Sequence, residues 1–460
     1  MTSLNSRSEM TGKELVFSVL RHEEPASVPW VPFAGVHAGK LTGYTAREIL
    51  TNKEKLMESL LAVNEVYAPD GQPVLFDLQI EAEILGCKLI WADFAPPSVA
   101  SHPLEAKLEV PTYLPEAADG RLPMVLDVMR EFKAKVGDRT ALYGLVTGPF
   151  TLASHLRGTD IFLDSMDNPE FLQELMAYCA NVVNRMVDLY VAAGMDVIAV
   201  VDPVVSQVSS RHFKRFLSES FTHIFDHIRT AGVFSSFFVC GDATKNIDVM
   251  CQTGPDSISV DENIDMETAK AITDKYDIVI GGNIPLTTRM LLGTQEDNIQ
   301  YTLELLGRLN HKNLIISPGC DMPYDTPIAN TIAVMQAVRE PESARAILAN
   351  YQAKEVDTSS VVIPDYANLE KPLVEVFTLD SDTCAACTYM MGAAQRAVDD
   401  FAGKVDIVEY KFTKPENVAR CVKMGVQHLP SVYINGELKY SSLIPSNREL
   451  LDALNEALHG

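Results

Sequence analysis

Between Val28 and about residue 340, eight short apolar, β-branched segments alternate with longer stretches of helical periodicity, and this alternation limits the fold more sharply than any other feature. The predicted strands are Val28–Phe33, Val74–Phe76, Ala141–Thr147, Val197–Val201, Phe234–Val239, Ser257–Val260, Ile278–Ile280 and Leu314–Ser317. Helical patterns come after most of them, most clearly over 168–193, 211–230, 266–275, 296–310 and 328–338. Eight strand–helix units in succession are the pattern of a (β/α)8 TIM barrel. An open doubly wound sheet is the alternative, but no G-x-G-x-x-G turn succeeds the first strand to support it. Ahead of the first unit, Thr11-Gly-Lys-Glu14 has capping-box spacing and predicts a helix through Leu15, Val16 and Val19.

The residues just past each strand carry the first functional signal. These exits read Gly35-Val-His37, Asp77, Thr147-Gly-Pro149, Asp202-Pro203, Cys240-Gly-Asp242, Asp261-Glu262, Gly282-Asn283 and Pro318-Gly-Cys320. Barrel enzymes build their sites at these C-terminal strand ends. Turn chemistry alone accounts for the glycines, prolines and aspartates, but gives no reason for Cys240, Cys320 and His37. Cys87, Cys179 and Cys251 fall in helical or apolar settings and read as structural. His155, His223 and His227 lie in helical stretches and read as packing or surface residues.

After Arg339 the pattern changes. Pro341–Tyr351 reads as one more helix, and Glu355–Lys371 mixes Asp, Ser, Pro and Asn without periodicity. The predicted organisation is a barrel over 10–345, a linker over 355–371 and a separate small domain over 372–460. In that last part a strand at Val374–Leu379 leads into Cys384-Ala-Ala-Cys387 and a helix to about Phe401. A strand at Val405–Tyr410, a helix at Pro415–Lys423, a hairpin Val432–Ile434/Leu438–Tyr440 turning at Asn435-Gly436, and a helix from Asn447 complete a βαβαββα order.

Charge and composition exclude several functions. With 38 Lys+Arg against 62 Asp+Glu the formal net charge is −24, so neither nucleic acid nor an anionic membrane is an expected partner. No apolar run is long enough to span a bilayer, and Met1–Met10 is polar rather than signal-like. Eight cysteines in 460 residues are too sparse for a disulfide scaffold. Together these features predict a cytoplasmic protein.

A C-x-x-C at a strand-to-helix junction has a chemical logic. The first thiol meets the unpaired N–H groups and dipole of the helix N-terminus, which favour thiolate, and the second resolves a mixed disulfide. With Leu429-Pro430-Ser431 ahead of the hairpin, the order resembles thioredoxin- and glutaredoxin-like domains over essentially all of 373–460. The resemblance implies redox roles for Cys384 and Cys387, a cis-proline at Pro430 facing them, and a redox partner for the dithiol. A docking domain that kept its cysteines is the plainer reading. A zinc site would need two further ligands, for which only His428 and Cys421 are on offer. Cys421 reads as a buried apolar residue.

The stretches Thr147-Gly-Pro-Phe-Thr-Leu-Ala-Ser-His155, Ala193-Gly-Met-Asp-Val-Ile198, Ile258-Ser-Val-Asp261, Gly282-Asn-Ile284 and Ser317-Pro-Gly-Cys320 together resemble the uroporphyrinogen decarboxylase superfamily over about 10–340. That superfamily is a (β/α)8 barrel with at least two chemistries: decarboxylation of a porphyrinogen, and zinc-dependent methyl transfer from a methylcorrinoid to a thiol. The decarboxylase branch carries an Arg-bearing run after the first strand. Here the same place reads Phe33-Ala-Gly-Val-His-Ala-Gly-Lys40, without the paired guanidinium groups that suit carboxylates. The Glu81-Ala-Glu83 and Leu85-Gly-Cys87 stretch, with Pro97-Ser98 after it, resembles the methylcobamide:coenzyme M methyltransferase branch. So do Cys240 and Cys320, which match two cysteines of that branch's zinc signature. The signature's histidine is replaced by Phe238, whose ring cannot ligate a metal. The third ligand expected is then His37, with Glu81, Asp202 or Asp242 as carboxylate substitutes.

The resemblance thus implies a methyltransferase-like barrel fused to a thioredoxin-like domain. Zinc would sit on Cys240, Cys320 and His37. Asp202 would be catalytic, and His37, Glu81, Asp242 and Tyr324 would line the substrate site beside Asp325. Methylcobalamin on a partner corrinoid protein would donate the methyl group, since the chain lacks a D-x-H-x-x-G corrinoid module. The acceptor would be a small thiol or tetrahydrofolate. The rivals are a uroporphyrinogen decarboxylase proper and a non-catalytic protein that binds a corrinoid or tetrapyrrole.

Overall fold

Strands that are apolar on both faces are stable only when both faces are covered, which favours parallel pairing under a layer of helices. The computed structural model of the chain describes residues 10–349, 357–381, 385–426, 429–441 and 444–459. Seven strands, β1 Gly71–Leu75, β2 Ala141–Thr147, β3 Val197–Val201, β4 Phe234–Val239, β5 Ser257–Val260, β6 Val279–Ile284 and β7 Leu314–Pro318, lie in that order in one parallel sheet. The predicted strand Val28–Phe33 is reduced to a single parallel bridge between Trp30 and Ile316. Pro29 and Pro32 have no N–H to give a ladder, so a continuous strand cannot form there.

That segment nevertheless acts as the eighth stave. Val31 N–H donates to Ile316 O, and Ile316 N–H donates to Pro29 O, both at 2.9 Å. On its other side Asp70 N–H donates to Trp30 O at 2.9 Å, and Trp30 N–H donates to the Asp70 carboxylate at 2.8 Å. The ring is therefore joined between its two edge strands, and the chain forms the (β/α)8 architecture with one irregular member.

Alternation along the strands sets what fills the ring. Phe33, Phe76, Tyr143, Val201, Phe238, Val279 and Ile315 pack together in one buried cluster. Within it Phe33 lies 4.7 Å from Phe238, 6.1 Å from Tyr143 and 6.3 Å from Phe76, centroid to centroid. The helix Gly12–Leu20 opens with the predicted capping box, in which Glu14 accepts from Thr11 N–H at 2.7 Å. Its Val16, Val19 and Leu20 join the same cluster. Phe17 packs on Phe234, the first residue of β4, and Lys13 pairs with Asp196, just ahead of β3, at 2.9 Å. This helix therefore covers the N-terminal end of the ring and leaves the strand exits at the other.

Two compact units divide the chain. The larger runs through the helix Pro341–Leu348, and the smaller holds the strands from Leu373 onward. The smaller unit is a sheet of β8 Leu373–Thr378, β9 Asp406–Lys411, β10 Ser431–Ile434 and β11 Glu437–Ser441 in the order β9-β8-β10-β11. β8 pairs with β9 in parallel and with β10 antiparallel. Asn435 and Gly436, at φ 50° and 79°, make the tight turn into β11. Helices Ala385–Asp399 and Asn447–His459 bury Met390, Ala394, Leu450 and Leu454 against Val376 and Val432. Cys421, on the helix Pro415–Met424, packs with Phe377 and Tyr433.

Part of the predicted linker belongs to this smaller unit. Glu375 is fully buried on β8 and needs partners. The Arg420 guanidinium pairs with it, and the Tyr366 hydroxyl donates to it at 2.6 Å. Arg420 also donates to Val362 O at 3.0 Å, and Lys423 to Val361 O at 2.6 Å, so the 358–366 stretch is strapped down. Among the described residues no helix is long and apolar enough to cross a membrane.

Candidate active site

Cys240 lies just past β4, two positions after Phe238, so the period of two turns both toward the ring's interior. Cys320 arrives from the far side, in the turn that ends β7. Gly319 N–H donates to Ile284 O at 3.1 Å. A Cβ on Gly319 would lie 2.7 Å from Glu262 N, so only glycine lets this turn approach the exit of β5. The two cysteines pack on the aromatic cluster, half-buried, with Cα atoms 6.0 Å apart and their sulfurs joined in a disulfide. The fold thus brings together the two residues that the sequence singled out.

Among the described residues it does not bring them a third ligand. His37 is fully buried. Its Nδ1 lies 3.0 Å from Tyr324 O, a carbonyl that can only accept, so Nδ1 carries the proton. Nε2 is left to accept from the Tyr67 hydroxyl at 2.6 Å. Burial lowers the imidazole to about 4, so the ring is neutral with both nitrogens engaged. With Nδ1 protonated and Nε2 accepting, His37 has no free lone pair for a metal here, which corrects the expectation that it is the third ligand. Phe238 is fully buried in the aromatic cluster. Among the described residues no group of three His, Cys, Asp or Glu side chains could hold a metal ion. Two sulfurs without a third donor do not fit the implied zinc site.

Four other expected site residues are tied into the frame. Asp202, fully buried, accepts from Phe150 N–H at 2.8 Å, Thr151 N–H at 3.1 Å and the Thr151 hydroxyl at 2.6 Å. It thereby caps the helix Pro149–Arg157. Burial raises its carboxyl to about 6 against the pull of those bonds. These bonds give Asp202 a capping role. Glu81, also buried and raised by burial, accepts from Thr147 N–H at 2.9 Å and the Thr147 hydroxyl at 2.8 Å. Glu81 and Asp202 therefore brace the same exit, that of β2. Asp242 accepts from Thr244 N–H at 3.0 Å, shaping its own turn, and the Tyr324 hydroxyl donates to Tyr44 O at 2.9 Å.

The opposite arc holds residues that the sequence reading did not single out. Asn283 and Ser317 are register partners on β6 and β7. They stand on the face that Val279 and Ile315 bury in the cluster, but nearer the exits. Each is 1% exposed. Asn283 Nδ2 donates to Asp261 O at 2.9 Å and Ile264 O at 2.7 Å, while its Oδ1 and the Ser317 hydroxyl have no partner among the described residues. Asp261 accepts from Asn263 N–H at 2.8 Å. Removal from water pushes the Glu262 carboxyl, beside Asp261, up to about 8. Asp321, which accepts from Gly35 N–H at 2.8 Å, rises to about 8 for the same reason. The inward period, followed to the last residues of β6 and β7, would have found Asn283 and Ser317.

In the smaller unit Cys384 lies outside the described residues, as does His428. Cys387 is disulfide-bonded and buried, and Leu379 N–H donates to its sulfur at 3.4 Å. The Leu429–Pro430 peptide is cis. Phe377 faces Ser431 in the β8–β10 register, which sets Pro430 opposite Thr378 and so beside Leu379.

Comparison with known proteins agrees with this architecture. The profile described as uroporphyrinogen decarboxylase (URO-D) matches residues 11–341, and a thioredoxin-domain profile matches residues 373–455. A methylcobamide:CoM methyltransferase of Methanosarcina acetivorans is 26% identical over 340 residues, covering 72% of this chain and 98% of the relative. A uroporphyrinogen decarboxylase of Nostoc punctiforme is 22% identical, covering 60% of this chain and 79% of the relative. A solved methyltransferase structure from Methanosarcina mazei superimposes with a TM-score of 0.66 at 24% identity, over 72% of this chain and 99% of that one.

Proposed function

Because the chain belongs to the uroporphyrinogen decarboxylase family, we propose that it is a methyltransferase of that family, moving a methyl group between a corrinoid on a partner protein and a small thiol. The observation that carries this reading is the near-complete coverage of the methylcobamide:CoM methyltransferases, at 26% identity, by a barrel that brings Cys240 and Cys320 together. In such a transfer the acceptor thiol loses its proton to solvent, its thiolate takes the methyl carbon, and the electron pair of the carbon–cobalt bond stays with cobalt. This chain's own contribution is a pre-formed mouth. The aromatic cluster seals the ring beneath, and Asn283 Oδ1 and the Ser317 hydroxyl, buried without a partner among the described residues, would turn to the substrate as it enters, with Cys320 three positions after Ser317. The donor set does not fit zinc, so no step is assigned to that metal. The smaller unit would act as a thiol–disulfide exchanger through Cys384 and Cys387, and the protein would work in the cytoplasm.

Electrostatics speak against porphyrinogen decarboxylation. A substrate with eight carboxylates would find few free cations there: Arg121, near the exit of β1, is already held by Asp77 and Glu83. The lone cation of the 33–40 stretch, Lys40, is already paired with Asp325 at 3.1 Å. The test is methyl transfer from methylcobalamin to a small thiol, monitored by the cobalamin absorbance change, with tetrahydrofolate as a second acceptor. Thiol-dependent demethylation is expected. Consumption of uroporphyrinogen without any methyl transfer would replace this reading with the decarboxylase.

A further inference from the structure

The cysteines of the larger unit fall into two chemical classes. Cys87, Cys179 and Cys251 are free and buried, as is Cys421 in the smaller unit. Burial pushes the thiols of Cys87, Cys251 and Cys421 up to about 12 and that of Cys179 higher still, so they stay protonated and inert. Cys240 and Cys320 are half-buried at the mouth and bonded to each other. In a chain that keeps its other described barrel thiols free, an accessible disulfide is the kind that reacts.

The frame holds the pair ready for either state. Cys240 is fixed by β4, and Asp242 anchors the next turn on Thr244. Cys320 sits between Gly319, packed against the Glu262 backbone, and Asp321, which accepts from Gly35 N–H. The Cα separation of 6.0 Å lies within the range of about 4.4–6.8 Å that bonded cysteines span. The sulfurs can therefore join or part by side-chain rotation alone. Where a zinc site would add an imidazole there is the buried ring of Phe238, and the nearest alternative, His37, has both nitrogens engaged.

We propose that Cys240 and Cys320 form a thiol–disulfide exchange site at the mouth of the barrel, closed by oxidation and opened by a dithiol. A thiolate of the reductant attacks one barrel sulfur. The S–S bond breaks, its electron pair goes to the other barrel sulfur, and a proton joins it there. The reductant's second thiolate then attacks its own sulfur in the mixed disulfide and releases the first barrel sulfur, which takes the second proton. Two electrons and two protons pass to the pair, and the dithiol becomes a disulfide. The dithiol can be Cys384 with Cys387 of this chain or a free molecule. The proposal does not depend on methyl transfer, because its readout needs no turnover.

The test is differential alkylation of the full chain, equilibrated anaerobically in graded mixtures of oxidised and reduced dithiothreitol and read peptide by peptide. Cys240 and Cys320 are expected to become alkylatable together in one two-electron transition, with Cys87, Cys179 and Cys251 unlabelled throughout. Reduction about tenfold slower in the Cys387→Ser variant, at limiting dithiothreitol, would identify the chain's own dithiol as the donor, and an unchanged rate a free one. The proposal is overturned if either cysteine labels independently of the other. It is equally overturned if both stay reduced in fully oxidised buffer, or become alkylatable only after a chelator strips a bound metal.

Discussion

Polar residues at the two arcs of the barrel mouth behave in opposite ways. At the exits of β2 and β3, both carboxylates of the Glu81–Asp202 pair accept from the chain itself, through Thr147, Phe150 and Thr151. At the exits of β6 and β7, Asn283 Oδ1 and the Ser317 hydroxyl are equally buried and have no partner among the described residues. A buried polar group with every partner supplied holds the fold, whereas one left open inside a mouth is placed for a ligand. The sulfur pair spans the mouth, with Cys240 from the exit of β4 and Cys320 from that of β7. Burial alone therefore does not distinguish these two arcs; hydrogen-bond saturation does.

That contrast can be broken at several points. The largest effect is expected at Asp202. Asp202→Ala strands two backbone N–H groups and a hydroxyl in a dry site, and should cost about 3–5 kcal/mol in denaturant unfolding. A loss below about 1 kcal/mol would mean that the carboxylate is not the cap. Next, the disulfide closes a separation of 80 residues, so reduction should lower unfolding stability by roughly 2–4 kcal/mol. The Cys240→Ser/Cys320→Ser double variant should no longer respond to reductant.

His37 gives a pH signature of similar size. Its folded value of about 4 lies below the ordinary value of 6.5, so between them the unfolded chain binds more protons. Stability is then complete above about 6.5 and falls as pH drops toward 4, by up to about 3 kcal/mol. His37→Phe should flatten that acid limb in urea titrations, and a limb unchanged by the substitution would show that the ring is not held neutral. The smallest stability effect belongs to Ser317→Ala, within about 0.5 kcal/mol, because no partner is lost. Its KM for the acceptor should nevertheless rise, and an unaltered KM would remove Ser317 from the substrate site.

The sequence reading reached most of the architecture because strands buried on both faces read as unbroken apolar runs, as in Ala141–Thr147 and Val197–Val201. It placed Cys240 and Cys320 in one site, as zinc ligands rather than a disulfide, from their strand exits and the resemblance to the methyltransferase branch. It failed where long-range partners decide. Nothing near His37 in the sequence announces that Tyr67 and Tyr324 take both its nitrogens. Nothing in the 355–371 stretch reveals that Glu375, Arg420 and Lys423 will draw it onto the smaller unit. Asn283 and Ser317 were hidden differently: near a strand end, Asn and Ser pass for ordinary turn residues.

The central proposal is that Cys240 and Cys320, with the buried Phe238 ring in place of a third donor, form a redox pair, and zinc content tests it most directly. The full chain is reduced, loaded with excess zinc, desalted anaerobically and analysed by elemental mass spectrometry. Wild type should retain far less than one zinc per chain, while Phe238→His, which restores an imidazole two residues before Cys240, should approach about one. One tightly held zinc in wild type, lost in Cys320→Ala, would contradict the account.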